Sequence, residues 1–535
     1  MEKYRINILI IAICSLGIYS CTDLEIEETD SIIQNQTGEF TGIEAGNIQP
    51  TLDGIYDGLR NQYTTQENLY GLNEVSSDEF IVPTRGTDWG DNGIWRLLHQ
   101  HNWSAIHPFV RNVWNDQNSL VFRTSEIIDD RSGASPQQAA EARFLRAYSM
   151  FWVMDLYGQV PFRAPDEGIE IDPIVYTRQE AFEFIMNDLE TAMASLPSIG
   201  PGDGTAKAHK AAVHFLMAKM YLNKHIYYDM ESASPADMQL VVDNVDAIEN
   251  LGFGLVEGYF GIFSEKLDNE TIFYTNADRG NKMWHTLHYN QTTPDNAGGG
   301  WNGFTTLSEF YDLFEGDPNI NVQGSGQEER RGFVPTAGTA NATVDFDGDG
   351  EIDDLDNDSD GLLDGSQIGF GFLINQQYNY DGSKLQAEIG KDLSFTKELP
   401  GILGNGQSTG IRVIKYHPSN GSYTGHQILF RFADAYLMKA EAILRGASGD
   451  ATAMVNDLRS LRKAAPLSSV TLDDLLDERG RELYGEYWRR NDQIRFGDFT
   501  STWEFKDNTE EFRILFPIPA SAIISNPNLT QNPGY

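Results

Sequence analysis

The sequence predicts a mainly α-helical protein in which imperfect tetratricopeptide-type helix pairs form a scaffold and a loop-rich, partly β side carries the ligand. Three observations lead there. Capped segments with apolar stripes at helical spacing fill residues 50–251 and return at 427–489. Between 252 and 426 those stripes fade and glycine, asparagine and aromatic residues dominate, as suits binding loops held on a rigid frame. With 535 residues and 2 cysteines, the chain can bury a large core without disulfides.

The first well-marked helix opens at Ser135-Pro136-Gln137-Gln138, where a capping hydroxyl, a first-turn proline and a glutamine complete a capping box. Ala140, Phe144, Ala147, Phe151 and Met154 recur on one face, and Gly158 and Pro161 end it. Thr177 and Glu180 open a second, with Phe182, Ile185, Leu189 and Leu196 as its buried stripe and Pro197 as its stop. Two more are expected at 206–228 and 235–251. Near the C-terminus the spacing predicts a helix from Ile428 to Arg445, one capped by Asp450 that bears Met454, Leu458 and Leu461, and a third over 473–489. Alanines at the crossing positions let antiparallel pairs approach closely, although no strict period links them.

The N-terminus reads as a signal. Lys3 and Arg5 precede an apolar run from Ile6 to Ile18, too short to span a bilayer, and Ser20-Cys21 closes it. Residues 1–20 are thus a lipoprotein signal peptide, Cys21 the lipidation site and 21–40 an acidic, flexible tether, with 41–535 as one globular unit. Two or more acyl chains, at roughly 0.8 kcal/mol per buried methylene, anchor a protein without a transmembrane helix. An ordinary cleaved secretory signal is the alternative.

A formal charge of −40, from 79 acidic against 39 basic residues, disfavours nucleic acid and other polyanions and points to a neutral partner. The 23 Tyr, 29 Phe and 9 Trp exceed what a core needs when many fall in glycine-rich loops. Exposed aromatic faces with carboxylates, amides and guanidinium groups beside them suit a neutral ligand that has both apolar faces and hydrogen-bonding groups. The segment 77–95 places Asp78, Arg85, Asp88, Trp89, Asp91 and Trp95 among glycines and a proline. Gly298-Gly-Gly-Trp-Asn-Gly303 surrounds Trp301 with residues unable to shield an indole. Trp284 and Tyr289 could line the same groove, and Tyr378, with Tyr380, lies in a further Asn/Gln-rich loop. Packing within the loop is the competing explanation for each of these rings, and the stronger one for Trp95 and, above all, for Trp103 and Trp114.

An acidic insertion, 345–367, has the form of a calcium loop. Asp345, Asp347, Asp349, Glu351, Asp353 and Asp356 occupy ligand positions, with glycine at the sixth place and isoleucine at the eighth. A second turn starts on Asp356 and continues through Asp358, Asp360 and Asp364, an overlap that resembles thrombospondin type-3 repeats. Ten carboxylates lie between 345 and 364 with no base among them, and neighbours about 4 Å apart repel by about 1 kcal/mol even in water. Structural Ca2+ would relieve this; a disordered acidic loop is the alternative.

No catalytic signature stands. Gly406-Gln-Ser408-Thr-Gly410 fits the nucleophile-elbow string but lacks its strand-turn-helix setting, there is no His-Glu-x-x-His, and no phosphate or dinucleotide loop occurs. No cofactor for catalysis is expected. A carboxylate pair for glycoside hydrolysis depends on separation in space, which sequence does not display.

Five segments, in order, resemble the SusD/RagB-like outer-membrane lipoproteins of Bacteroidetes: Glu141-Ala-Arg-Phe-Leu-Arg-Ala-Tyr with Asp155-Leu-Tyr-Gly-Gln-Val-Pro-Phe162; Lys207-Ala-His-Lys-Ala-Ala to Tyr221-Leu222; Phe430-Arg-Phe-Ala-Asp-Ala-Tyr-Leu-Met-Lys-Ala-Glu-Ala; Glu478-Arg-Gly-Arg-Glu-Leu; and Pro517-Ile-Pro519 with the tail Asn526 to Tyr535. The resemblance implies a SusD-like fold and a non-catalytic surface protein that captures an oligosaccharide or polysaccharide and closes over a SusC-like TonB-dependent transporter. It also implies a sugar contact for Trp301 and Asn302. A RagB-like peptide receptor and, less in keeping with the residues, a surface glycoside hydrolase are the other functions to separate from it.

Overall fold

The structure, a computed structural model, describes residues 40–263, 267–276, 285–291, 299–322, 324–334, 368–378, 383–416 and 426–535. Cys21, Trp284, Tyr380 and the whole acidic insertion, Asp345 to Asp364, lie outside the described residues. Six long helices make up the first half: α1 (Ala45–Tyr63), α2 (Pro108–Ile128), α3 (Pro136–Tyr157), α4 (Arg178–Met193), α5 (Lys210–Tyr227) and α6 (Pro235–Glu249). The local chemistry is as the sequence suggests. Ser135 accepts from Gln138 N while Gln138 returns its side chain to Ser135 N, Thr177 and Glu180 do the same for α4, and Gly158 ends α3 at φ +74°. Neighbours in sequence pack on each other, α2 on α3, α3 on α4 and α5 on α6.

The C-terminal helices are α7 (Phe432–Leu444), α8 (Ala451–Leu461, with Asp450 accepting from Ala453 N), α9 (Leu472–Leu483) and α10 (Arg489–Phe496). α7 packs on α6, α8 and α9, which joins the two helical blocks. Residues 41–535 form one unit around a large apolar core, with a satellite of Leu437, Val455, Leu458 and Leu475 where α7, α8 and α9 meet. Among the described residues no helix is long and apolar enough to cross a membrane.

Two sequence expectations are corrected. The helix expected from Ile428 starts only at Phe432, because His426–Arg431 is a strand, buried along its whole length and antiparallel to Thr271–Asn276. A short continuous apolar run does not distinguish strand from helix by period. The helix expected over 473–489 ends at Leu483. Gly485 N donates to Glu79 Oε2 at 2.9 Å and Tyr487 N to the Glu74 carboxylate, so two buried acids draw the chain out of helical geometry, with Gly485 at φ +70° and Tyr487 at φ +74°.

Between the helical blocks the chain forms short strands. Phe80–Ile81 pairs with Thr305–Thr306, and Thr306 N reaches Ile411 O at 3.2 Å. Arg412–Ile414 continues into pairing with Phe370–Leu373. These contacts gather three segments distant in sequence, 84–95, 285–304 and 401–412, onto one side of the frame.

Candidate functional site

The first segment is a tight turn. Arg85 and Asp88 exchange backbone hydrogen bonds of 3.0 and 2.9 Å around Gly86-Thr87. The chain then runs through left-handed backbone at Trp89 (φ +60°), Asp91 (φ +38°) and Asn92 (φ +53°). Non-glycine residues avoid that region at roughly 1–2 kcal/mol each, and such concentrations of strain belong to functional sites more than to scaffolds. The turn lays the half-buried Trp89 indole against Gly303, where an added Cβ would come within 2.3 Å of Cζ2. His285, Phe304 and Trp95 close around the ring at centroid distances of 5.6, 6.0 and 6.1 Å.

The second segment folds back on itself. Gly300 N donates to His288 O at 3.0 Å, Asn302 N to Leu287 O at 2.8 Å and Gly303 N to His285 O at 2.7 Å. A Cβ on Gly300 would stand 2.0 Å from Leu287 O, so the glycines are required for this approach. The result leaves Trp301 on the outside, 60% exposed, with its ring 5.2 Å from that of His285. Its backbone carbonyl accepts the Trp89 indole N–H at 2.9 Å, which ties the Trp89 ring to the backbone that presents Trp301. Burial pushes the His285 imidazole down to about 4, so the ring is neutral at pH 7. Tyr289 OH donates to Asp88 Oδ2 at 2.7 Å; burial, then that carboxylate, pushes the phenol up to about 12.

The third segment was not expected to take part. Arg412, fully buried on the strand that follows the loop, donates Nη1 to Thr409 O (2.8 Å) and Gly410 O (2.7 Å), and Nη2 to Gln407 O (2.8 Å) and Asn302 Oδ1 (2.7 Å). Arg85, only 3% exposed, adds Gly406 O, Thr409 O and Thr409 Oγ1 at 2.8–3.0 Å. Nothing in the local sequence marks Arg412, and its loop attracted notice only as a rejected nucleophile string.

Of the residues expected to face ligand, Asp88, Trp89, Tyr289 and Trp301 come together at the surface. Four others hold the structure instead. Asp78 accepts from Arg489 Nε and Nη2, one edge of the guanidinium, at 2.7 Å each. Trp95 is 2% exposed and donates to the exposed Asp91 at 2.9 Å. Arg85 turns inward, and Asn302, fully buried at φ +56°, gives Nδ2 to Gln407 O at 2.9 Å. Tyr378 is half-buried in the adjoining ribbon, paired with Lys384, and no described contact carries its ring to the indoles. Among the described residues no group of three His, Cys, Asp or Glu forms a metal site. What is assembled is an exposed indole at Trp301, a half-buried indole at Trp89 bonded to the Trp301 carbonyl with His285 against both rings, and the Tyr289–Asp88 phenol–carboxylate pair.

Residues 269–511 match the model of the SusD family. Over its full length the chain is similar to the starch-binding protein SusD of Bacteroides thetaiotaomicron, 26% identical, with 100% of this chain and 99% of the relative covered. Its fold is similar to that of a laminarin binding SusD-like protein, with a TM-score of 0.66, 20% identity and coverage of 92% of this chain and 100% of that one. It is also similar to that of surface glycan-binding protein A from Bacteroides thetaiotaomicron in complex with laminarihexaose, with a TM-score of 0.62, 18% identity and coverage of 91% and 99%. The match to the family model over residues 269–511, the full-length kinship and the fold all show similarity to the SusD family.

Proposed function

We propose that the protein is a non-catalytic, surface glycan-binding member of its family that captures a neutral oligosaccharide or polysaccharide and passes it to a SusC-like TonB-dependent transporter, tethered by lipid on Cys21. The observation that carries this is the solvent-facing Trp301 indole, 60% exposed and fixed through its carbonyl to Trp89. Laying about 100 Å² of sugar face on it contributes roughly 2.5 kcal/mol, and the Asp88 carboxylate and the Tyr289 phenolic oxygen present acceptors to ring hydroxyls. Two relatives are named for starch and for laminarin, so a glucan is the first ligand to try.

Native gels cast with laminarin, starch or inulin test it. One neutral glycan should retard the soluble protein lacking residues 1–21 while no reducing ends appear. Retardation by none, or turnover of the glycan, would overturn the proposal. The acidic insertion is proposed to hold structural Ca2+ independently of the glycan, and a melting temperature that does not rise with calcium would remove that part.

A further inference from the structure

We propose that Gln407 is a ligand-contacting residue of the glycan site and that Arg412 is the positioning residue that holds it there; the inference rests on the glycan reading above. Gln407 is exposed, and its backbone is fixed from two directions: its carbonyl accepts from Asn302 Nδ2 at 2.9 Å and from Arg412 Nη2 at 2.8 Å. Asn302 directly follows Trp301. On the other side the Gln407 side chain lies against the His288 imidazole, whose ring is 5.5 Å from that of Tyr289. Gln407 is thus held against the neighbours in sequence of both Trp301 and Tyr289, and its exposed carboxamide is assigned to a hydroxyl of a ring stacked on Trp301.

The charge arrangement beneath explains why this loop, and not a mobile one, fills the position. Arg85 and Arg412 are buried, and no ion pair joins either to a carboxylate among the described residues. A guanidinium removed from water without a counter-ion is unfavourable unless its donors are satisfied. Here Arg85 Nε and Nη1 and both Nη atoms of Arg412 go to the carbonyls of Gly303, Gly406, Gln407, Thr409 and Gly410 and to the Asn302 amide, while Arg85 Nη2 and Arg412 Nε are buried without a partner among the described residues. Charge-assisted bonds of this number on one short surface loop fix its shape before ligand arrives, which removes the ordering penalty that a flexible contact would add on binding.

The test is calorimetric titration of wild type, Gln407→Ala, Trp301→Ala, Arg412→Lys and the Gln407→Ala/Arg412→Lys double variant with laminarihexaose and maltohexaose. Gln407→Ala, at an exposed position, should keep the wild-type melting temperature and bind the preferred hexasaccharide about 5- to 10-fold more weakly. Arg412→Lys should weaken binding by a similar factor in the wild-type background and by less than twofold once Gln407 is alanine, a coupling that a general loss of stability would not produce. Gln407→Ala binding as wild type while Trp301→Ala loses affinity overturns this inference and leaves the glycan site standing. Wild type binding neither sugar, or Trp301→Ala binding unchanged, overturns the site itself and this inference with it.

Discussion

Buried arginines occur in two regions of this molecule, and the two treat them oppositely. In the helical frame Arg330, Arg431 and Arg462 converge on Glu482 at 2.8–3.3 Å, Arg330 also reaches Glu478 at 2.7 Å, and Arg479 and Arg495 share Asp492 at 2.7 Å. Beneath the aromatic surface Arg85 and Arg412 hold backbone carbonyls and an amide. In the frame the burial of Glu482 raises its carboxyl, but Arg462, Arg431 and Arg330 outweigh that and hold it well below the usual carboxylate range. At the site burial pushes Arg85 down to about 9 and Arg412 well below its ordinary value; Tyr289 offsets this only in part, and among the described residues no carboxylate pairs with either. Matched charges consolidate a scaffold. Unmatched ones are tolerable only where their donors shape something, and here they shape a loop.

The largest break in this contrast should come from acid. Glu482 and Asp492 are held low, and Glu478 at about 2, in each case because neighbouring arginines outweigh burial. Their contribution is fully present above the unfolded carboxylate range of about 4.3 and is lost as pH falls through the depressed values. Glu79, raised by burial and Glu74, and Asp268, pushed up to about 7 by burial and Glu270, act with the opposite sign and lose stabilisation as pH rises through their folded values. Buried His99, His209, His285 and His426, each pushed down to about 4 by burial, outnumber Asp268 and must take up protons on unfolding, so the denaturation midpoint in urea should fall as pH drops from about 6.5 towards 4 and fall further below about pH 4 as the depressed carboxylates are protonated. A flat profile down to pH 3 would remove the network from the stability account.

Glu482→Gln should be the most damaging single frame change, at about 3–5 kcal/mol by urea unfolding, because it leaves three buried guanidinium groups short of a carboxylate. Whatever fraction folds should bind glycan normally, which is the reverse of what is expected beneath the site. Trp301→Ala should weaken glycan binding by roughly 2 kcal/mol in calorimetry while shifting stability by no more than about 0.5 kcal/mol, since its ring is mostly solvated. Gly303→Ala should do both in moderation: a methyl placed against Trp89 forces the indole to move, at about 1–2 kcal/mol, with a change in tryptophan fluorescence and a smaller loss of affinity.

Local chemistry was legible in the sequence and distant partnership was not. Ser135, Thr177 and Asp450 cap as expected because a cap involves residues three apart. The exposure of Trp301 was legible in its glycines, although their reason is different: they let the backbone lie on residues 285–289, and exposure of the indole follows. Asp78, Arg85 and Asn302 were misread as outward-facing because their partners, Arg489, Thr409 and Arg412, are 411, 324 and 110 residues away. The ends of the helices expected from Ile428 and through residue 489 failed for the same reason, one to a strand partner at 271–276 and the other to Glu74 and Glu79.

The left-handed run at Trp89, Asp91 and Asn92 has a consequence for how ligands of different length compare. A platform whose contorted geometry is already imposed by folding behaves as a stiff template, so the entropy lost on capture should come mainly from the sugar's own glycosidic torsions. Affinity should then climb with each added residue until the chain outgrows the patch between Trp301 and Tyr289, and plateau abruptly beyond it.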